Sequence, residues 1–234
     1  MTDLPCHVAI VPDGNRRWAT EHRVPDLSGH QRGAQTMHTV VEHLIGRVQY
    51  LTVWGFSTDN WKRSDKEVSS LFNLLALQIE KDTPWLHSRG VRLRHIGRLH
   101  ELSNELQLAG TNAMELTKDN TGMTFTLAFN YSGRAEIVDA VRGLIADGRL
   151  FEPAVTRPEL DEKLFSRYLY TNDLPDVDLV IRTAGEFRLS NFLLWQTAHS
   201  EFYFTPTLWP DFNREELEKA LRDYSERERR FGGD

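Results

Sequence analysis

Residues 8–18 read VAIVPDGNRRW, a short apolar run that passes directly into an acid, a glycine, an asparagine and two arginines. The run Val8 to Val11 predicts a buried β-strand, because it is short, apolar and rich in β-branched residues. Pro12 and Gly14 are typical of the turn that follows such a strand. Open α/β sheets bind ligands at the carboxyl ends of their strands, so residues 13–18 are the first candidates for a binding site.

Similar short runs recur along the chain and alternate with longer stretches of helical period. This alternation predicts an α/β fold: a single domain over residues 1–234, with a largely parallel central sheet flanked by helices. The strands are predicted at 8–11, 50–56, 91–96, 123–130, 178–182 and 202–204, and the helices at 29–46, 65–88, 101–118, 133–146, 159–170 and 213–230. Two helix starts are predicted from capping-box spacing, namely Ser28 with Gln31 and Ser64 with Glu67.

Composition limits the class of protein. A chain of 234 residues with 40% hydrophobic content can bury one substantial core, and its net charge of −6 argues against broad binding to nucleic acid. Cys6 is the only cysteine, which excludes an intramolecular disulfide and favours a reducing compartment, so the cytoplasm is the expected location. No run of 18 apolar residues occurs, and we expect at most peripheral contact with a membrane.

The residues after the first strand have the chemistry of a phosphate site. Gly14 lets backbone N–H groups approach a phosphate, Asn15 adds polar contacts, and Arg16 and Arg17 supply charged donors. Asp13 is suited to hold a divalent cation against that phosphate. Two alternatives stay open: Asp-Gly-Asn also forms ordinary turns, and phosphohydrolases place a nucleophilic aspartate after a first strand. Those hydrolases usually have a second acid two residues later, where this chain has asparagine.

Two further features allow both a functional and a structural interpretation. Arg182 and Arg188 follow the predicted fifth strand, so a loop could direct both at one diphosphate, or either could pair with Glu186 or Asp178. The helix from residue 65 carries a stripe of apolar side chains that predicts either ordinary core or one wall of a hydrophobic tunnel. The stripe comprises Val68, Leu71, Phe72, Leu75 and Ile79.

Several motifs in order resemble the cis-prenyltransferase family, the enzymes of the undecaprenyl diphosphate synthase type. The resemblance covers nearly the whole chain. It is carried by His7 to Ala19, Gly29-His30, Gly55 to Arg63, Asn130 to Arg134, Asp178 to Gln196, Glu201 to Phe204, Leu208 to Phe212 and Arg229 to Gly233.

The resemblance implies a magnesium-dependent prenyltransferase that joins an allylic prenyl diphosphate to a five-carbon isoprenoid diphosphate and releases diphosphate. By matching position, it implies Asp13 and Glu201 as ligands of Mg2+, and it implies Asp13, Asn60 and Ser57 as catalytic residues. The residues implied in substrate binding are Gly14, Asn15, Arg16, Arg17, Trp18, His30, Trp61, Arg63, Arg182, Arg188 and Ser190. Members of the family close a loop equivalent to residues 57–63 over their substrates, and their C-terminal Arg-x-Gly segment reaches a neighbouring subunit, so a homodimer is implied.

Four positions depart from the usual pattern of that family. Common members have Gly at Arg16, often Arg at Asp26, Ser at Ala184, and Gln or His at Phe187. The last two changes remove polar groups near the expected five-carbon site. Head-to-tail elongation with isopentenyl diphosphate is favoured as the commoner reaction of the family, and these changes make head-to-middle coupling with dimethylallyl diphosphate, as in lavandulyl-type synthases, the alternative. A non-catalytic partner subunit is the third hypothesis.

Product length is indicated by residues that would line the tunnel. Gly55 is small where members with shorter products have bulk, whereas Phe125 and Phe129 add bulk on a later strand. These features argue in opposite directions about depth, and a short or medium product is favoured.

Overall fold

The computed structural model of the protein describes residues 4–148 and 159–227. Its centre is one sheet of six strands in the order β3-β4-β2-β1-β5-β6, and every pairing among them is parallel. This confirms the predicted α/β class. The strands are β1 (His7–Val11), β2 (Tyr50–Ser57), β3 (Arg92–Ile96), β4 (Thr124–Tyr131), β5 (Leu179–Arg182) and β6 (Glu201–Phe204).

Helices connect the strands. They are α1 (Asn15–Glu21), α2 (Asp26–Leu44), α3 (Asp65–Ser88), α4 (Asn104–Thr117), α5 (Gly133–Ala146), α6 (Glu162–Ser166) and α7 (Arg214–Glu226), with 3₁₀ turns at Thr58–Lys62, Leu99–Glu101 and Trp209–Asp211. The bounds of α3 and α5 agree with the predicted ones. In the described part of the chain, no helix is both long and apolar enough to cross a membrane.

Other bounds differ from prediction. Residues predicted as a loop form α1, which starts behind Gly14, and α2 begins at Asp26 behind Pro25 rather than at Ser28. The backbone N–H of Ser28 bonds to the carbonyl of Pro25, so Ser28 lies in the first turn and is not a cap. Ser64 does cap α3, because its hydroxyl accepts from the N–H of Glu67.

Three later helices are shorter than predicted. The helix predicted at 101–118 is α4, which spans Asn104–Thr117. The helix predicted at 159–170 is reduced to the five residues of α6. The last helix was predicted at 213–230, and α7 ends at Glu226. Residues 228–230 of that prediction lie outside the described residues.

The strand order places the candidate site. The chain runs from β1 to β2 on one side of β1, and later enters β5 on the other side, so β1 lies where the order reverses. In doubly wound sheets, ligands bind at such a switch point, beyond the carboxyl ends of the strands. Since Val11 pairs with Arg182 at the ends of β1 and β5, the segments that follow these strands meet at one edge.

The helices α3 and α4 cover β2 and β4 with an aromatic and aliphatic cluster. It consists of the buried residues Phe56, Val68, Phe72, Leu102, Leu106 and Phe129. A second cluster, on β1 and β5 with α2 and α7, includes Val8, Ile10, Val41, Leu179 and Leu217. Of the predicted apolar stripe of α3, Val68 and Phe72 are buried in the first cluster, and Leu71, Leu75 and Ile79 are partly buried against it.

Candidate active site

A cavity of about 590 Å3 lies between the sheet and the helices α2, α3 and α4, and reaches the carboxyl edge of β1, β2 and β5. Many predicted site residues, drawn from distant parts of the chain, meet in its wall. They are Asp13, Gly14, Asn15, Arg16, Arg17, His30, Ser57, Asn60, Arg63, Arg182 and Ser190.

Asp13 is held in place by the end of β5. The hydroxyl of Thr183 accepts from the backbone N–H of Asp13 at 2.8 Å and donates to its carbonyl at 2.7 Å. The carboxylate accepts from Nη2 of Arg182 at 3.0 Å and lies 3.8 Å from Nη2 of Arg17. Its side chain is 34% exposed, so a charged carboxylate faces the cavity between two guanidiniums.

Arg182 is the most enclosed of these cations, with a side chain only 5% exposed. Besides Asp13, it donates through Nη1 to the hydroxyl of Ser190 at 2.9 Å and to the carbonyl of Arg188. Its Nε has no partner among the described residues. The alternative of a surface pair with Glu186 or Asp178 is therefore wrong for Arg182, whereas Arg188 does pair with Glu186.

Arg17 connects the segments that follow β1 and β5, which form the mouth of the cavity. Its Nη1 donates to the carbonyl of Ala184 at 2.9 Å, and its Nη2 lies 3.3 Å from Oε1 of Glu186. The sequence predicts Glu186 only as a surface partner of the arginines. The structure places its carboxylate between Arg17 and Arg188, where the negative charge occupies the neighbourhood expected for a phosphate.

Gly14 is required by both backbone angle and space. Its φ of 109° is one that side chains of L-residues rarely adopt, and a Cβ there would lie 3.1 Å from Cβ of Ala184. Gly14 precedes α1, whose first-turn N–H groups have no acceptors within the helix. Ala184 thus packs against Gly14, in the segment that follows β1.

The segment after β2 is ordered by its own capping box. Oδ1 of Asn60 accepts from the N–H of Ser57 at 2.9 Å, and the hydroxyl of Ser57 accepts from the N–H of Asp59 at 3.1 Å. Both Ser57 and Asn60 line the cavity. Their relative position is therefore fixed by local hydrogen bonds that the sequence spacing did not reveal.

A row of alternating charges follows the cavity rim. Asp26 accepts from Nε of Arg16 at 3.0 Å, and Glu67 accepts from Nη1 of Arg63 at 3.1 Å. His30 lies nearby, and burial lowers the pKa of its ring below the ordinary value. The sequence predicts Glu67 only as a capping residue of α3, although its spacing of four residues from Arg63 also indicates an ion pair.

Four predicted site residues lie away from the cavity wall. Trp18 stacks on His22 at 4.0 Å and donates to Asp211, and Trp61 donates to Asn130 at 2.8 Å. Arg188 points to Glu186.

Glu201 is the fourth, and its position conflicts with the expected metal site inside one chain. It pairs with Leu179 at the amino end of β5, whereas Arg182, beside Asp13, pairs with Phe204. Three residues along a strand span about 10 Å, so Glu201 and Asp13 lie towards opposite ends of the sheet. The carboxylate of Glu201 is instead bound by Arg227 at 2.7 Å.

Away from the mouth, the cavity wall is mainly apolar. It comprises Leu71, Leu74, Leu75, Ile79, Leu93, Leu102, Leu106, Ala113, Met114, Phe125, Leu127 and Phe129. A few polar side chains interrupt it on α3 and β3, among them Gln78 and Asp82, which bond to each other at 2.6 Å. Guanidiniums and a carboxylate beside an apolar cavity are typical of a site suited to an amphiphile with an anionic, phosphate-like head.

The comparisons with known proteins identify this class further. The profile of the family described as "Putative undecaprenyl diphosphate synthase" matches residues 11–232. The isoprenyl transferase of Heliobacterium mobile is 46% identical over 234 residues, covering 98% of this chain and 88% of the relative. That of Thermotoga maritima is 46% identical over 231 residues, covering 98% and 97%. The chain therefore belongs to the undecaprenyl diphosphate synthase family and is a prenyltransferase.

Two solved structures share the fold over nearly their full length. Lavandulyl diphosphate synthase from Lavandula x intermedia, solved with dimethylallyl diphosphate, superposes with a TM-score of 0.93 at 39% identity and 98% coverage of both chains. A "probable undecaprenyl diphosphate synthase" from Campylobacter jejuni superposes with a TM-score of 0.81 at 32% identity, covering 99% of this chain and 100% of that one.

Proposed function

We propose that this protein condenses an allylic prenyl diphosphate with a five-carbon isoprenoid diphosphate, with loss of inorganic diphosphate and with Mg2+ as cofactor. The observation that supports this most is the cavity itself, in which Asp13, Arg17 and Arg182 stand at one end and an apolar wall follows. Such a site accommodates both the charged head and the hydrocarbon chain of one substrate.

The residues at the mouth are suited to stabilise the charge that develops as the allylic C–O bond breaks. Arg17 and Arg182 are already oriented by neighbouring acceptors, so they need little reorganisation when the diphosphate departs. Removing one such pre-organised donor costs about 3–4 kcal/mol of transition-state stabilisation. The apolar wall excludes water, which would otherwise capture the carbocationic carbon.

The mouth fits a magnesium ion held together with substrate. Mg2+ is usually bound through one or two carboxylates and the phosphates of a substrate rather than in an all-protein cage. The described residues contain no group of three or more potential metal-ligating His, Cys, Asp or Glu side chains, but Asp13 presents one half-exposed carboxylate at the diphosphate end. When bound there by Asp13, the ion would supply charge neutralisation on the diphosphate.

Proton loss after coupling needs an oriented acceptor, and Asn60 is positioned to help. Its amide has no useful pKa and cannot be the base itself. Because its Oδ1 is used by the N–H of Ser57, its Nδ2 is the group left for a substrate phosphate. We propose that a diphosphate oxygen oriented in this way accepts the proton.

We propose head-to-tail elongation with isopentenyl diphosphate as the reaction. Phe187 and Ala184 give little reason to expect an altered site for the five-carbon substrate, because Phe187 is 77% exposed on the surface and Ala184 packs on Gly14. Head-to-middle coupling is a second candidate, favoured by the TM-score of 0.93 to lavandulyl diphosphate synthase.

We also propose a homodimer formed through the edge of the sheet at β6. Phe204 stacks with Phe202 at 5.9 Å, and its ring lies 5.2 Å from the tilted ring of the exposed Phe187, which gives an aromatic patch on an edge strand. An interface there would bring Glu201 and Arg227 to a neighbouring subunit. That arrangement would reconcile the expected role of Glu201 with its distance from Asp13.

The test is incubation of the pure protein with Mg2+ and each pairing of dimethylallyl, geranyl or farnesyl diphosphate with isopentenyl or dimethylallyl diphosphate. Products are identified after dephosphorylation. Linear cis products formed only with isopentenyl diphosphate are expected, and branched products from dimethylallyl diphosphate as acceptor would establish the second candidate. Phosphate release with no carbon–carbon bond would contradict both.

A further inference from the structure

Four charged side chains, Asp26, Arg16, Glu67 and Arg63, form an alternating rim row along the mouth of the cavity. Asp26 accepts from Nε of Arg16 at 3.0 Å, and Nη1 of the same guanidinium lies 3.9 Å from Oε1 of Glu67. That oxygen also accepts from Arg63 at 3.1 Å. The rim row thus links the start of α2 to α1, α3 and the segment that follows β2.

The rim row contributes little to stability. The side chains of Arg16 and Asp26 are 57% and 51% exposed, so solvent screens their attraction and the pair adds little to the stability of the fold. The rim row instead determines where its two guanidiniums are held. Arg16 and Arg63 approach one carboxylate oxygen of Glu67, and both line the same cavity as Asp13 and Arg17. Two neighbouring guanidiniums are suited to bind a diphosphate.

Two members of the rim row, Arg16 on α1 and Asp26 at the start of α2, are in direct contact. Taken alone, Asp26 would repel a diphosphate. The guanidinium of Arg16 balances this charge, and Asp26 in turn holds the Nε end of Arg16.

We propose that Asp26 is a positioning residue that holds Arg16 on the rim as a ligand of the allylic diphosphate. This inference rests on the proposed function, since it takes a prenyl diphosphate as the anion that Arg16 binds.

The direction in which one substitution changes the affinity for the substrate distinguishes this role from simple electrostatic repulsion. If Asp26 only repels the substrate, Asp26→Asn should tighten binding of geranyl diphosphate. If Asp26 positions Arg16, the same change should weaken it, by about three- to tenfold, because Arg16 loses its anchor. Calorimetric titration with geranyl diphosphate and Mg2+, in the absence of the second substrate, measures this directly, and steady-state kinetics should show a higher KM with kcat within twofold.

A double-mutant cycle makes the coupling explicit. Arg16→Gly should weaken binding, and Asp26→Asn in that background should have no weakening effect. The exchanged variant with Arg16→Gly and Asp26→Arg should recover much of the affinity. Glu42→Gln is the matched control, because Glu42 pairs with Arg214 on a surface outside the cavity, with exposures of 40% and 57%.

Each outcome decides the inference. Tighter or unchanged binding in Asp26→Asn, or equal effects of that change with and without Arg16, would overturn it while leaving the proposed function intact. A native chain that binds no prenyl diphosphate and makes no product would overturn both. Since Asp26 is exposed, thermal unfolding of Asp26→Asn should match the native protein, and Arg16→Gly should lower Tm only slightly, as expected for glycine in a helix. Such values exclude loss of fold as the cause.

Discussion

Gly55 lies directly against the ring of Phe129: a Cβ atom at position 55 would stand only 2.9 Å from Cδ2 of Phe129. Phe129 is 5% exposed and packs on Phe56 at 5.2 Å and on Phe72 at 5.5 Å. The small residue and the large one are therefore complementary, and the ring takes the space that a side chain at 55 would fill. The small Gly55 and the bulky Phe129 therefore do not have opposite effects on the depth of the cavity, because the Phe129 ring fills the space that Gly55 leaves free. This supports the predicted short or medium product.

Replacing Phe129 should lengthen the product. Phe129→Ala removes the ring beside Gly55, so a longer hydrocarbon chain has room, and the distribution of chain lengths after dephosphorylation measures the change. The substitution should cost about 3–5 kcal/mol of stability, so Phe129→Leu serves as the milder variant. Unchanged product length in both folded variants would show that Phe129 does not limit growth.

Gly55→Ala provides the reciprocal test. The new methyl group should clash with the Phe129 ring and lower both Tm and activity, since Phe129 is enclosed by Phe56 and Phe72. In a Phe129→Ala background the same methyl group should be tolerated. Equal losses of stability in the two backgrounds would mean that the two positions are not coupled.

Asp13 has two separable roles, and two substitutions distinguish them. Asp13→Asn keeps an oxygen that can accept from Arg182 but removes the charge, so it should lower kcat/KM by at least about 100-fold with a small change in Tm. Asp13→Ala also strips the buried guanidinium of a partner and should lower Tm further. Near-native turnover in Asp13→Asn would disprove its role in the reaction.

Much of the fold followed from the sequence because the strands are short, apolar runs between strong helical patterns. The bounds of α3 and α5 were predicted correctly, since Ser64 and Ser132 cap them through local hydrogen bonds. The start of α2 was misplaced because Pro25, with its fixed φ, precedes the helix and Ser28 merely resembles a cap.

The site was predictable where one motif carries it and unpredictable where the partners are distant in sequence. The residues after β1 were found because they follow a recognisable strand. The contacts of Asp13 with Thr183 and Arg182 arise only when β5 is placed beside β1. For the same reason, no local pattern could show that Gly55 faces Phe129 or that Arg16 meets Asp26.

Stability should depend on pH through Glu136. Burial raises the pKa of this carboxyl group above its ordinary value of 4.5. The folded state therefore holds a proton that the unfolded state releases, so the free energy of unfolding should fall as pH rises from about 4.5 through the folded pKa. Urea unfolding across this range measures the slope.

Glu136→Gln should remove that slope. Glu136 accepts from Nε2 of Gln196, whose own Oε1 has no partner among the described residues, so a rotated Gln196 can accept from the new amide. Glu218→Gln is the contrasting control, because Arg47 and His43 lower the pKa of Glu218 to about 2. Its contribution is present above about pH 4.5 and is lost towards pH 2. An unaltered slope in Glu136→Gln would assign the pH dependence to other groups.

The aromatic patch at β6 should control self-association. Phe187→Asp places a charge beside Phe204 and Phe202, which an interface would have to desolvate, so the variant should be monomeric at concentrations where the native chain is a dimer. Phe187→Leu should remain dimeric, and Leu108→Asp, at a side chain that is 62% exposed on α4, is the control for adding a charge elsewhere. Sedimentation velocity distinguishes the states.

Since Phe187 lies outside the cavity wall, Phe187→Gln should leave the preference between isopentenyl and dimethylallyl diphosphate unchanged. A changed preference would show that the ring reaches a substrate, either in its own subunit or across the interface.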